Sequence, residues 1–518
     1  MKSRVFTALA APVAAAALLL AGCAGGSAPA PTESTAAPVP EGPYTLRVNW
    51  GGFPQTWAVG SAAMQSGHIR IPYETVLTRT PDGKIHPNLA TEWELGDGAK
   101  SLTLHLRDDV VFHDGEPFNA EAVKTNIEYI KDVVGGQFGG PVKAGVESIE
   151  VVDEFTVKLN FTRPYPTFTT LLTQMNLPMG CPASIADESI ATDPCGTSPW
   201  AYDKSKSIDG TMMYFGRFDD YWGEYPPFDN IELYAIPDDT AAVAAVINGE
   251  IDVTDAEADQ TPLVDGSGGV ATWYQYPALR NNVVFFDRGP GGQLGDERVR
   301  QALCYSLDTT VLDALDPTLN SVNQHFIEGE PGYNPDIVGY SYDFDKAVKL
   351  LAEAGNPTIN LTFPAAPFNK QQVEVYADAF NKLPGVTVTV QELPVPDYVA
   401  TWSSGQYQLG IGQHNQITPQ DWYGAWFAET ALTNPSKWAS DDLKALVGAA
   451  QQAAPGQASN DAWAAVMKQI SQEALACGHM LVDQVIVYNT QTVQDVQRAD
   501  SVWEVNLIDY RVVRPAGT

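Results

Sequence analysis

Basic side chains are scarce in this chain: 30 Lys and Arg stand against 63 Asp and Glu, for a net charge of −33. A surface of that sign repels nucleic acid and anionic headgroups, so no nucleic-acid partner is expected. The charge reads as a solubilising coat, and recognition must come from a local site. Histidine is sparse too. The seven, at 68, 86, 105, 113, 325, 414 and 479, include no two at metal-ligand spacing. His-Glu-x-x-His, Cys-x-x-Cys, Gly-x-Ser-x-Gly and Gly-x-x-x-x-Gly-Lys are all missing. Neither a metal, a cofactor nor an enzymatic reaction is therefore expected, and an exported hydrolase would lack its nucleophile and base. His113-Asp114 lies in a turn and reads as structural. Asp238-Asp239 reads as helix capping ahead of calcium binding. Gly266-Ser267-Gly268-Gly269 lacks the third glycine and the following helix of a dinucleotide fingerprint. Past the N-terminus, no uninterrupted apolar run approaches the ~18 residues a membrane helix needs.

The N-terminus itself is informative. Lys2 and Arg4 precede an apolar run from Val5 to Leu20, and Leu20-Ala21-Gly22-Cys23 follows. A basic start, a short apolar stretch and small residues before a cut describe a secretory signal. The ending resembles a bacterial lipobox, which implies removal of residues 1–22 and acylation of Cys23. The alternative, a membrane-spanning anchor, is disfavoured because the run is short and alanine-rich. Residues 23–43, rich in Pro, Ala and Ser, then form a disordered tether. The expected location is the outer face of the cell membrane or the periplasm, with lipid as the sole membrane contact. Cys181, Cys195, Cys304 and Cys477 remain, an even number in an oxidising compartment. Three connectivities are possible; the local bridge Cys181–Cys195 is preferred, leaving Cys304 with Cys477.

With 518 residues, the chain suits about three domains. Residues 44–50, 101–107 and 155–161 alternate like strands. Asn119 is placed to cap a helix with Val123, Ile127, Ile130 and Val134 on one face, ended by Gly135-Gly136. Asp239 or Thr240 opens another that closes at Gly249 and feeds a strand at 251–253. Asp296 and Asp343 cap two more. Strand 358–363, helix 371–383 and strand 386–392 form a strand–helix–strand unit, which calls for parallel pairing. A helix at 397–404 leads to strand 407–412. Mixed elements throughout mean an α/β or α+β architecture.

Directly after that last strand comes QHNQITPQDWYGAW, residues 413–426, crowded with amides and aromatics and carrying one formal charge, Asp421. In α/β sheets ligands bind outside the carboxyl ends of strands, and amides between aromatic walls suit a small-molecule pocket. An ordinary surface loop is the alternative.

Several ordered stretches resemble family 5 solute-binding proteins of ABC importers, the oligopeptide- and dipeptide-binding class. They are Tyr73-Glu74-Thr75-Val76-Leu77 with 81–90 and Trp93; 106–118; Cys195-Gly196-Thr197-Ser198-Pro199-Trp200; Asp220-Tyr221-Trp222-Gly223; 248–252; and Val299-Arg300-Gln301-Ala302-Leu303. The resemblance implies an α/β, two-lobed periplasmic-binding-protein-like fold (type II, cluster C) with an inserted subdomain and a ligand cleft between the lobes. Lobe I would take 44–70, 195–275 and 486–518, the insert 71–194, and lobe II 276–485. Closure over the ligand would shift a population toward contacts that only the closed form makes.

In the family's peptide binders an aspartate pairs with the ligand's ammonium group. Aligning Pro419 with the family's Asp-Pro puts Asn415 at that position, and an amide cannot neutralise an ammonium. The arginine that holds the carboxylate is also missing from 363–370, with Lys370 as the sole substitute. A free dipeptide with unpaired termini would lose several kcal/mol. The expected ligand-contact set is Gln413, His414, Asn415, Gln416, Trp422 and Trp426, with Trp50, Trp57 and Trp200 on the opposite lobe. Core packing is the alternative for each tryptophan. Tryptophan faces point first to a glycan or glycoconjugate and second to a blocked or longer peptide. The expectation is a monomeric receptor that delivers its solute to ABC transporter permease subunits. A non-transport lipoprotein of the same fold, acting in cell-envelope assembly, is the alternative.

Overall fold

The computed structural model describes residues 42–61, 66–79, 84–134, 136–316, 318–328, 330, 332–366, 369–394, 397–398, 405–414, 418–431, 433–453, 456–497 and 508–518, with the backbone alone at 66, 97, 136–138, 258, 275–282 and 413–414. Cys23, the tether, Asn415, Gln416 and most of the helix expected at 397–404 lie outside the described residues.

Local signals set many of the elements. Asn119 Oδ1 accepts from Ala122 N at 3.0 Å and opens the helix Ala120–Asp132, which buries Val123, Ile127 and Ile130. That helix stops short of Val134, and Gly136 begins a second helix, Gly136–Gly145, instead of ending the first. Asp238, of the pair read as capping, accepts from Ala241 N and starts Asp239–Asn248; Gly249 closes it in the left-handed region at φ 76°. Asp296 and Asp343 cap Glu297–Tyr305 and Phe344–Glu353 as expected. The strand expected at 251–253 begins only at Val253; the Asp252 carboxylate just before it accepts from the Arg47 backbone N–H and guanidinium.

The protein has two lobes around separate cores. One core gathers Leu46, Phe118 and Phe215 with Ile486, Ile508 and Tyr510 from the chain's end. Two others are built around Phe286, Leu303 and Phe363, and around Phe285, Trp422 and Trp463. In the first lobe, strand Thr45–Asn49 lies parallel to both Asn230–Tyr234 and Val253–Ala256. A four-stranded sheet, in the order 90–95, 101–106, 156–161, 146–153, packs beneath helix Ala120–Asp132. In the second lobe, Ile359–Ala365 pairs in parallel with Val386–Glu392 across helix Lys370–Asn381, as the strand–helix–strand pattern requires.

A nine-stranded sheet runs through both lobes, and two very long strands carry it across. Ala271–Phe286 and Ala476–Asn489 pair antiparallel from Ala271 opposite Asn489 to Phe285 opposite Ala476. Midway, Ala278, Leu279 and Arg280 all face Val482, and a further register shift falls between Asn282 and Val284. Extra residues on one strand bend the ribbon and sharpen its twist. Cys181 is bonded to Cys195 and Cys304 to Cys477, with Cα separations of 5.4 and 5.8 Å. Among the described residues, no helix is long and apolar enough to cross a membrane.

Candidate ligand cleft between the lobes

The amide-rich stretch begins on strand Leu409–His414, which lies antiparallel to Ala271–Phe286 with His414 opposite Asn281 and Gln413 opposite Asn282. The strand therefore runs toward the bulge and delivers its end beside the lobe junction. After residues 415–417 the chain is a helix, Pro419–Trp426, and not the loop that its composition suggests. Thr418 caps it: Oγ1 accepts from Asp421 N at 3.1 Å and donates to Asp421 Oδ2 at 2.5 Å. Proline suits the first position, where no N–H is needed. Thr418-Pro419-Gln420-Asp421 is a capping-box pattern, and it is the local signal that the reading of amides and aromatics passes over.

All five candidate tryptophans sit in the cores of their own lobes, at 2–5% exposure. Trp50 Nε1 donates to Tyr510 Oη at 2.7 Å, and that hydroxyl donates to Gly67 O. Trp57 packs on Phe215, and Trp200 donates to Phe228 O with its ring edge against Tyr510. Trp422 stacks on His325 with centroids 4.4 Å apart and 12° between planes, and Phe427 meets it edge-on. Trp426 stacks on Phe285 at 4.3 Å and 8°. Gly412 makes that stack possible, because a Cβ there would stand 2.5 Å from both rings. Each ring is thus packed against neighbours of its own lobe, while Trp426 and Trp422 each also line a small cavity, the first with Phe285 and Tyr407 and the second with His325 and Met467. Lys370 is also committed: Nζ is 2.7 Å from Glu392 Oε2.

What meets across the lobes is a pair of residues absent from the expected contact set. Tyr165, in the first lobe, donates its hydroxyl to Asp421 Oδ1 at 3.5 Å. Phe161 and Phe168 hold the Tyr165 ring, and the Arg163 guanidinium lies 5.1 Å above it. Burial pushes the Asp421 carboxyl up from its ordinary pKa, while the bonds from Thr418 and Tyr165 and the charge of Arg163 pull it down. Burial and the Asp421 charge raise the Tyr165 hydroxyl well above its usual range, so it remains a donor.

The other candidate chemistry is structural. His113 Nδ1 accepts from Gly196 N at 3.2 Å, which leaves Nε2 as the donor to Ser198 O at 2.9 Å. Burial lowers its pKa to about 4, so the ring is neutral. Among the described residues, the one group near enough to hold a metal is Asp114 with Cys181 and Cys195, and those two sulfurs are bonded to each other.

Known proteins fit this architecture. The model of bacterial extracellular solute-binding proteins, family 5 Middle, matches residues 84–434. The nickel-binding periplasmic protein of Escherichia coli (strain K12) is 27% identical over 302 residues, 55% of this chain and 55% of its own. The dipeptide-binding protein of the same strain is 27% identical over 308 residues, 52% of this chain and 55% of its own. The matches thus span about half the length of these curated relatives. The crystal structure of NikA from Brucella suis in complex with Fe(III)-EDTA shares the fold, with a TM-score of 0.78 at 21% identity over 91% of this chain and 99% of that one. Matched over most of its length by the family model, the chain belongs to the bacterial extracellular solute-binding proteins of family 5.

Proposed function

We propose that this protein is an extracytoplasmic, lipid-anchored receptor that encloses a small solute between its lobes and passes it to the permease of an ABC transporter. The observation that carries this reading is the pairing of a bulged two-strand hinge at Ala278–Arg280 with a second meeting of the lobes at Tyr165 and Asp421. Lobe I comprises 44–70, 195–275 and 486–518 with 71–194 inserted, lobe II comprises 276–485, and the receptor works as a monomer.

The solute is neutral where it meets 413–416, since Gln413, Asn415 and Gln416 offer hydrogen bonds without charge. With Trp422 stacked on His325 and Trp426 on Phe285, one face of each ring is already used within its lobe, which weakens the case for a sugar ring. An oligopeptide-like solute held through its backbone is the reading we adopt, ahead of a glycoconjugate. Native mass spectrometry of protein purified from its own host is expected to reveal a co-purified small solute. Asn415→Ala should weaken binding of that solute by about 1–3 kcal/mol, the cost of a lost buried polar contact. Unchanged affinity in a folded variant would place the pocket elsewhere.

A further inference from the structure

The Tyr165–Asp421 contact is built from two rigid parts. On the second lobe, Asp421 is fixed by the reciprocal cap with Thr418, which occupies its backbone N–H and Oδ2 and leaves Oδ1 directed at Tyr165. On the first lobe, the Tyr165 ring is 1% exposed and wedged between Phe161 and Phe168. It also lies against Gly145, where a Cβ would stand 2.5 Å from the ring, so larger residues are excluded and the hydroxyl has one place to go. Tyr165 N donates to Ala99 O, tying this segment to the four-stranded sheet. Neither partner belongs to residues 413–417, where the solute contact is proposed.

We propose that Tyr165 and Asp421 form a latch that holds the two lobes closed without any solute between them. The inference rests on the reading of the lobes as a closing receptor, and it adds that affinity is set partly by residues that touch no solute. A receptor whose competent closed state is populated only in part binds with its intrinsic dissociation constant divided by that fraction. A bond that forms only on closure raises the fraction. Burial of the carboxylate opposes the gain, and the 3.5 Å length keeps the bond weak, so the latch biases closure without locking it. The lobes still open for entry and release.

The test reads conformation and needs no knowledge of the solute. Small-angle X-ray scattering on solute-free protein, prepared by unfolding and refolding with the disulfides intact, gives the open and closed fractions. Tyr165→Phe removes the hydroxyl alone and leaves the Thr418 cap untouched. It should raise the open-to-closed ratio about two- to threefold, the lower end of what one hydrogen bond contributes. Asp421→Ala, which removes the acceptor and keeps the backbone N–H that Thr418 caps, should do the same, and the double variant should go no further than either single one, because both remove one interaction. Additive shifts, or a scattering curve unchanged by Tyr165→Phe, overturn the latch, as does a wild type already fully open. Should Tyr165→Phe fail to fold, Asp421→Ala carries the comparison. A conformational shift with no solute ever recovered would uphold the latch while removing the receptor reading, so the two fail separately.

Discussion

Arg511 reaches Glu74 across 437 positions of sequence, its Nη2 donating to Oε1 at 2.5 Å. The carboxylate is buried and also accepts from Thr197 Oγ1, Tyr221 Oη and Trp222 Nε1, so four donors from three separate segments converge on it. Glu74→Ala would orphan these donors, and removing one member of a buried charged network costs about 3–5 kcal/mol. Urea unfolding should show that loss. A drop under about 1 kcal/mol would mean the network contributes little.

Acid should destabilise the protein through His113. Its folded pKa is lowered to about 4 by burial, below the ~6.5 of an unfolded histidine. Stability is complete above pH 6.5 and falls as the pH drops toward 4, because the unfolded chain takes up the proton first. The window is worth about 3 kcal/mol. In His113→Gln, the loss measured between pH 7 and 4 should shrink by that amount, and an identical pH slope would refute the assignment.

The two disulfides should differ in value. Cys181–Cys195 closes a separation of 14 residues and Cys304–Cys477 one of 173. Chain entropy then assigns about 3 and about 5 kcal/mol. Replacing each pair with Ala and comparing unfolding midpoints tests the order, and non-reduced peptide mapping tests the pairing. Four alkylated thiols in oxidised protein would reject it.

Gly412→Ala should disturb the cleft from behind. The new methyl would collide with Phe285 and Trp426, forcing their stack apart at about 1–3 kcal/mol. Near-ultraviolet circular dichroism should register the displaced tryptophan. A spectrum and stability matching wild type would show that the sheet yields freely there.

Cys23→Ala should release the protein from membranes with its fold unchanged, since lipid is the proposed anchor. Retention on membranes after a salt wash would place the anchor elsewhere.

Features read locally were legible in the sequence, and features made by distant contacts were not. Asn119, Asp296 and Asp343 stand as caps because a cap is settled within three residues. The same chemistry at Thr418 went unread behind the surrounding amides. Strand Ala271–Phe286 has no steady alternation and contains Pro277, Asn281 and Asn282, so only its partner Ala476–Asn489 makes it a strand. Asp421 stood out as the one charge in its stretch, yet its significance depends on Tyr165, 256 positions earlier. The tryptophans show the converse limit: composition identifies large flat rings, and only packing decides which surface they meet.

The Arg511–Glu74 bond also has a consequence for biogenesis. Trp50 pairs with Tyr510, Glu74 with Arg511 and Val253 with Tyr488, so the first lobe is completed by segments more than 230 positions further along the chain. A chain synthesised amino end first cannot complete that lobe until residues 488–511 have been made. Removal of the segment from Tyr510 onward should therefore leave Trp50 and Glu74 without these partners and destabilise the first lobe.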